Sequence, residues 1–287
     1  MDTVDPPLVI LLGASIVASL STCLQGPNIL NLGVPGLSYD NEEKLNCLYA
    51  TFKRRIAGKN NFILIISPLF NSFFPGRNLD GHYIRTKQQL PGEKMFLSTK
   101  QFVEKIISLC PTKALKKVLI APTPGRRFYK CKKDCTKCIK YPFFGRKVCG
   151  LYKRLSNEYE DQSKGVSVIQ YKEWAQYHIE NFGTRKYRKM LNYHMKQLKS
   201  GNITDTYFDR LYIVYMSRMS TFCAGCLVDR QNPAVRAKRH YRKRKKDQIH
   251  FCCSLSKSRY GSFLSSYFDT DTSLELRTKY KFDRRTR

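Results

Sequence analysis

The sequence predicts an α/β protein with a doubly wound, mostly parallel five-stranded sheet flanked by helices. Five short apolar runs alternate with segments of helical spacing over residues 1–200. Apolar runs that lack polar alternation are typical of strands buried on both faces, as in parallel sheets. Strands that alternate with helices favour this architecture, in which ligands bind beyond the carboxyl ends of the strands.

The predicted strands cover residues 8–12, 28–32, 62–66, 117–121 and 166–170. The predicted helices cover residues 16–24, 40–55, 99–109, 151–161 and 184–198. The second helix is expected to be capped by Asn41 or Asp40, since both side chains can accept a bond from a free helical amide.

Two segments fall outside this alternation. Residues 126–150 form a basic, cysteine-rich insertion, and residues 201–287 form a basic, aromatic and cysteine-containing extension. The predicted organisation is therefore an α/β domain over residues 1–200, interrupted by the insertion and followed by the extension.

The formal net charge of +30 is spread unevenly over the 287 residues. Lys44 is the single basic residue among residues 1–50, so the excess belongs to the middle and C-terminal parts. A surface this basic attracts polyanions, and nucleic acid is the expected partner ahead of an anionic membrane. The alternative is a solvated basic surface without a dedicated partner.

The apolar stretch 8–24 does not have the pattern of an export signal. The residues before it carry Asp2 and Asp5 and no Lys or Arg, and Gly13 and several serines interrupt it. A strand, a turn and a helix fit it better than a membrane span. We expect an intracellular protein, cytoplasmic or nuclear, whose 11 cysteines are thiols or metal ligands.

Ser15 is the candidate nucleophile. It follows the first predicted strand at a sharp turn into a helix, a position that exposes a hydroxyl at the end of the strand. A serine hydroxyl needs a base to take its proton, and the oxyanion of the intermediate needs preorganised donors. Taken alone, a serine here also fits a helix cap.

Four segments of this chain resemble the motif blocks of the SGNH, or GDSL-like, hydrolase family. They are residues 9–17 (VILLGASIV), residues 31–36 (NLGVPG), Asn71 after the third strand, and His178. The resemblance covers residues 8–199. It implies that Ser15 is the nucleophile, Gly33 and Asn71 are the oxyanion donors, and His178 is the base of an esterase that needs no cofactor.

The chain departs from the family at the acid member of the triad. Where the family has an aspartate three residues before the histidine, this chain has Ala175, and Ala14 replaces the aspartate of the Gly-Asp-Ser block. Loss of the carboxylate costs on the order of 10⁴ in turnover in Ser-His-Asp enzymes. Glu173 is near in sequence but would point elsewhere from an extended backbone.

Two cysteine clusters are candidate structural zinc sites. The first comprises Cys131, Cys135, Cys138 and Cys149 in a C-x3-C-x2-C-x10-C pattern. The second comprises Cys223, Cys226, Cys252 and His250. Thiolates and imidazoles at such spacings fit tetrahedral zinc, and disulfides or free thiols are the alternatives.

The densest positive run of the chain lies within residues 236–246 (RAKRHYRKRKK). Its cations are Arg236, Lys238, Arg239, Arg242, Lys243, Arg244, Lys245 and Lys246. Such a run neutralises phosphates without reading the base sequence, and it also resembles a nuclear import signal. The aromatic residues Tyr241, Phe251, Tyr260, Phe263, Tyr267 and Phe268 either stack on bases or form a small core.

Three functions therefore follow from the sequence, the third being a peripheral protein held on anionic lipid, with the esterase pocket receiving acyl chains. The first is an SGNH-like serine esterase acting on a carboxylic ester or acyl group, joined to a basic nucleic-acid-binding extension. The second is an inactive scaffold of the same fold that binds nucleic acid. An esterase domain joined to a basic, cysteine-containing segment is similar to proteins encoded by retrotransposons and some viruses.

Overall fold

The computed structural model has a five-stranded, all-parallel sheet. It describes residues 6–72, 92–111, 114–123, 141–160, 165–182, 185–204, 207–208 and 254–268. The strands are β1 Leu8–Gly13, β2 Ile29–Gly33, β3 Phe62–Ile66, β4 Leu115–Ile120 and β5 Val166–Val168. Their order is β2-β1-β3-β4-β5, and each neighbouring pair is parallel. The predicted α/β fold is confirmed at this level.

The apolar runs form the centre of the sheet. Residues 9–12 of β1 are at most 1% exposed, and every residue of β3 is buried. The edge strand β2 is only half-buried along its length. Burial of β1 and β3 on both faces explains why their sequences are uninterrupted by polar residues.

Helices flank the sheet. They are α1 Ser15–Ala18, α2 Glu42–Ile56, α3 Gly92–Ser108, α4 Tyr141–Glu158, α5 Tyr171–Phe182, α6 Arg185–Lys199 and α7 Ser254–Ser265. A 3-10 turn, Ser19–Thr22, continues α1. The Asn41 side chain accepts a 3.0 Å bond from the Lys44 amide at the start of α2, which confirms Asn41 as the cap.

The helices contact one another in two groups. In the first group, Tyr49 of α2 lies 6.2 Å from Phe102 of α3, and Lys100 of α3 pairs with Glu158 of α4 at 2.7 Å. In the second group, α7 contacts both α5 and the 3-10 turn after α1. The chain crosses from β1 to β2 in one direction and from β2 to β3, β4 and β5 in the other. Because such crossovers are right-handed, the helices of the two directions lie on opposite faces of the sheet, in agreement with the two groups.

The structure differs from the prediction at several helices. α3 begins at Gly92 and not at residue 99, while α4 begins at Tyr141 and not at residue 151. Residues 141–150 of the predicted insertion are therefore helical, and residues 126–140 lie outside the described residues. The sequence pattern predicts neither α5 nor α7.

α7 lies within the predicted extension but packs into the core of the α/β domain. Tyr260 and Phe263 are each 1% exposed, and the Trp174 ring of α5 lies 4.9 Å from Tyr260 and 6.0 Å from Phe263. Gly261 faces Cys23 and Leu24. These aromatic side chains are therefore core residues and are not exposed to a nucleic acid.

Candidate functional site

The strand order reverses between β1 and β3. The chain passes from β1 to β2 on one side and then returns to β3 on the other. The crevice beyond the carboxyl ends of two such strands is where open α/β sheets bind ligands. Ser15, the first residue of α1, lies two residues after β1 and is half-buried. The predicted nucleophile is thus at the reversal point.

Two glycines allow the backbone to pack closely behind Ser15. A Cβ on Gly33 would lie 2.2 Å from the Ala18 nitrogen, and a Cβ on Gly13 would lie 2.6 Å from a methyl group of Val17. The Gly13 carbonyl accepts a 2.9 Å bond from the Val34 amide. Close contact between β1, β2 and α1 therefore requires glycine at both positions.

The amide of Gly33 has an acceptor within the fold. It donates to the side-chain oxygen of Asn31 at 2.9 Å, and the Asn31 side-chain nitrogen donates to the Val17 carbonyl at 2.8 Å. An amide carries one hydrogen, so Gly33 would have to release Asn31 before it could stabilise an oxyanion.

Asn71 lies in the 3-10 turn Phe70–Ser72, which follows β3. Its side-chain nitrogen donates to the Leu37 carbonyl at 3.0 Å, and the Tyr39 amide donates to the Ser72 hydroxyl at 2.6 Å. The loop after β2 is thereby joined to the turn after β3. Three of the four predicted site segments, those of Ser15, Gly33 and Asn71, therefore lie together beyond the carboxyl ends of the strands.

His178 lies in the middle of α5, whereas the sequence analysis expected it before a helix. It is 5% exposed, and burial, together with the nearby Arg259 of α7, lowers its pKa from 6.5 to about 3. A buried imidazole beside a guanidinium is held in the neutral form.

The Glu173 carboxylate has structural partners. One oxygen accepts a 2.9 Å bond from the Gln170 amide at the start of α5, and the other accepts a 2.7 Å bond from the Tyr267 hydroxyl. The first contact is half of a capping box, in which the third residue of a helix bonds back to the cap. Glu173 is thus a capping residue of α5 and does not replace the aspartate absent at position 175.

Tyrosine hydroxyls cover the carboxyl end of β4. Tyr152 of α4, Tyr260 of α7 and Tyr171 of α5 donate to the carbonyls of Ala121, Pro122 and Thr123 at 2.6, 2.9 and 2.5 Å. Burial raises the pKa of each phenol, so the hydroxyls remain donors. The sequence analysis missed this cluster, for which the apolar helical spacing of Tyr171 and Trp174 was the available signal.

Few of the predicted metal ligands fall in the described part of the chain. Cys149 is buried in α4 at 4% exposure, beside Tyr171. Cys131, Cys135, Cys138, Cys223, Cys226, Cys252 and His250 all lie outside the described residues, as does the basic run 236–246. Within the described residues, no group of three or more His, Cys, Asp or Glu side chains is arranged to hold a metal ion.

α6 presents a basic surface to solvent. Its sequence, RKYRKMLNYHMKQLK, has six Lys or Arg residues and no Asp or Glu. Leu191 is buried on one side of α6, while Lys189, Lys196 and Lys199 are exposed on the other. The ion pairs found among the described residues lie on α3 and α4 and leave α6 out. Tyr193, also on α6, is 60% exposed.

Comparisons of this chain with protein-family models, curated proteins and solved structures found no match. Among the described helices, none combines the length and apolar character needed to cross a bilayer.

Proposed function

We propose that this chain is a non-hydrolytic protein on an SGNH-like scaffold that binds nucleic acid through its exposed cations. The observation that carries the proposal is the exposed cationic surface of α6. Lys189, Lys196 and Lys199 are exposed, and α6 itself contains no acidic residue. Cations of this kind release counterions when they meet phosphates, which is the main source of sequence-independent affinity.

The basic run 236–246 extends this proposal. It stands in the sequence between Phe208, which is fully buried, and α7, which packs on α5. Because both flanking segments are anchored in the domain, the run is tethered to the same body as α6. We propose that its eight Lys and Arg residues add phosphate contacts to those of α6.

The geometry around Ser15 supports a non-hydrolytic role. The serine mechanism needs a base within hydrogen-bond reach and a carboxylate that stabilises the imidazolium once formed. Here burial and the nearby Arg259 lower the pKa of His178 and so disfavour the imidazolium, and the Glu173 carboxylate caps α5. The Gly33 amide also has an internal acceptor.

A serine esterase is the second candidate function. The observation that favours it is the convergence of Ser15, the loop after β2 and Asn71 at the strand-order reversal. In this function the Ser15 oxygen attacks the carbonyl carbon of a carboxylic ester while His178 accepts its proton.

Nucleic-acid binding is tested by fluorescence anisotropy with labelled RNA and DNA over a range of salt. The test variant carries Lys189→Glu, Lys196→Glu and Lys199→Glu. The matched control carries Lys53→Glu, Arg54→Glu and Arg55→Glu, which change three exposed cations of α2 by the same total charge. We expect the α6 variant to lose at least about tenfold in affinity and to show a shallower salt slope than the control.

An α6 variant that keeps the affinity and salt slope of the control would overturn the assignment of α6. Charge reversal at Arg242, Lys243, Arg244 and Lys245 tests the basic run in the same assay. Binding to anionic vesicles in preference to nucleic acid, at matched salt, would contradict the choice of partner.

The non-hydrolytic part is tested with a fluorophosphonate probe, which labels only an activated serine. We expect no labelling of the folded wild-type protein. Labelling of the wild type that disappears in both Ser15→Ala and His178→Ala would establish the esterase and reject this part of the proposal. Neither outcome of this test affects the proposal that α6 binds nucleic acid.

A further inference from the structure

We infer that the basic surface of α6 prefers single-stranded to double-stranded nucleic acid, with Tyr193 as a platform for an unpaired base. This inference rests on the proposed nucleic-acid binding and names the form of the ligand. At 60% exposure, Tyr193 is the most exposed of the large hydrophobic side chains among the described residues.

The position of Tyr193 on α6 places it among the cations. Lys189 precedes it by four residues and Lys196 follows it by three, so both share its side of the helix. The Tyr193 ring also lies 5.2 Å from the ring of His194, at an interplanar angle of 77°. An exposed aromatic ring is thus flanked on both sides along the helix by ammonium groups.

Several of the described tyrosines are buried. Tyr152, Tyr171 and Tyr260 are all at most 2% exposed, and each hydroxyl has a carbonyl acceptor. Tyr193 instead leaves much of its ring exposed to water. Exposure of apolar surface to water is unfavourable, and a base stacked on the ring would cover that surface. The charge around the ring fits a polyanion better than an apolar partner.

The two forms of nucleic acid differ in what they offer an exposed ring. In a duplex the bases are stacked on one another, and lysines on a helix surface meet only phosphates. In a single strand each base has a π-face that can stack on an aromatic side chain while the backbone follows the cations. Lys189 and Lys196 therefore contribute to both forms, and Tyr193 contributes to single strands alone.

The test compares an oligothymidylate with the same strand annealed to its complement, at one salt concentration. We expect Tyr193→Ala to weaken single-strand binding by roughly 5- to 150-fold, the loss that follows from one stacked base. Duplex affinity should stay within about twofold of the wild type. Tyr193→Phe keeps the ring and should keep single-strand affinity.

Tyr207→Ala is the matched control, because Tyr207 is a second exposed tyrosine at 51% exposure outside α6. It should leave both affinities unchanged. Equal losses for Tyr193→Ala on the two ligands, or no loss on either, would overturn the inference. The double variant Lys189→Glu, Lys196→Glu separates this failure from failure of the proposed function. If the double variant loses affinity for both nucleic acids, α6 still binds nucleic acid and only the preference for single strands is wrong. If it keeps both affinities, the proposed function is wrong as well.

Discussion

Gly33 and Gly150 differ in the space that is available for a Cβ atom. A Cβ at Gly33 would lie 2.2 Å from the Ala18 nitrogen, whereas a Cβ at Gly150, on the exposed side of α4, would meet nothing within 4 Å. Backbone atoms at Ala18 cannot rotate away as a side chain would. We expect Gly33→Ala to destabilise the protein by about 1–3 kcal/mol or more, the usual cost of overpacking.

Gly150→Ala is the matched control for this prediction. It removes backbone freedom from the unfolded chain without a clash, so it should raise the free energy of unfolding by about 0.5–1 kcal/mol. Urea unfolding of the two variants measures both changes. A Gly33→Ala protein as stable as the wild type would contradict the close packing of β2 on α1.

His178 makes a separate prediction about pH. Its pKa is about 3 in the folded protein and 6.5 as a free side chain. Between these values the unfolded chain binds a proton that the folded protein does not, so stability falls as the pH is lowered from 6.5 towards 3. The contribution of this group approaches about 1.4 kcal/mol per pH unit.

Urea unfolding at about pH 7.5 and about pH 5 measures this effect. The pH dependence of the wild type is compared with that of His178→Gln, which keeps a polar side chain but cannot titrate. We expect a smaller loss of stability at the lower pH in the variant, whatever its absolute stability. Equal pH dependence in both proteins would mean that His178 is accessible to protons in the folded state.

At the scale of elements, α7 is an integral part of the α/β body. Phe263 is 1% exposed and contacts the rings of Trp174, Tyr177 and Tyr267. Phe263→Ala should cost about 3–5 kcal/mol, the range for truncation of a buried phenylalanine. The chain has a single tryptophan, so its fluorescence reports on this contact.

We expect the emission of Trp174 in Phe263→Ala to shift to longer wavelength as water reaches the indole. Tyr207→Ala removes an exposed ring elsewhere and should change neither the spectrum nor the stability by more than about 0.5 kcal/mol. An unchanged spectrum together with wild-type stability in Phe263→Ala would show that α7 does not pack on α5.

α7 and α5 are not predicted from the sequence, and the reason differs between the two helices. α7, with the sequence SLSKSRYGSFLS, contains five Ser and one Gly, which are poorer helix formers than Ala or Leu. Its helical form depends on packing against Trp174, which a local pattern does not contain. α5 begins after Gln170, which is not among the preferred cap residues, so the usual start signal is absent.

For the whole molecule, the central strands β1 and β3 could be predicted because burial on both faces leaves a continuous apolar signature, and parallel pairing could be predicted because strands alternate with helices. The location of Ser15 beyond the first strand follows from that pattern too. The partners of Gly33 and Asn71, and the burial of His178 beside Arg259, depend on side-chain packing between distant segments. Local sequence carries no information on such contacts.

The net charge of +30 makes a prediction for the whole protein. Like charges repel more in the compact state than in the expanded one, so a large net charge lowers stability. The ion pairs found among the described residues, such as Lys100–Glu158 and Arg154–Glu93, are few against this excess. Salt should therefore stabilise the fold, because screening of the repulsion outweighs the weakening of these pairs.

Thermal unfolding at low salt and at about 0.15 M NaCl measures this balance. We expect Tm to rise with salt, by about 2–4 °C for each kcal/mol of repulsion removed. The two triple variants proposed above, on α6 and on α2, each lower the net charge by six and should show a smaller rise. A Tm that falls with salt would mean that ion pairs, and not repulsion, dominate the electrostatics of the fold.

Nucleic-acid affinity should fall over the same range of salt, since counterion release drives binding. Opposite salt responses of stability and affinity would thus trace both to the same excess of exposed cations.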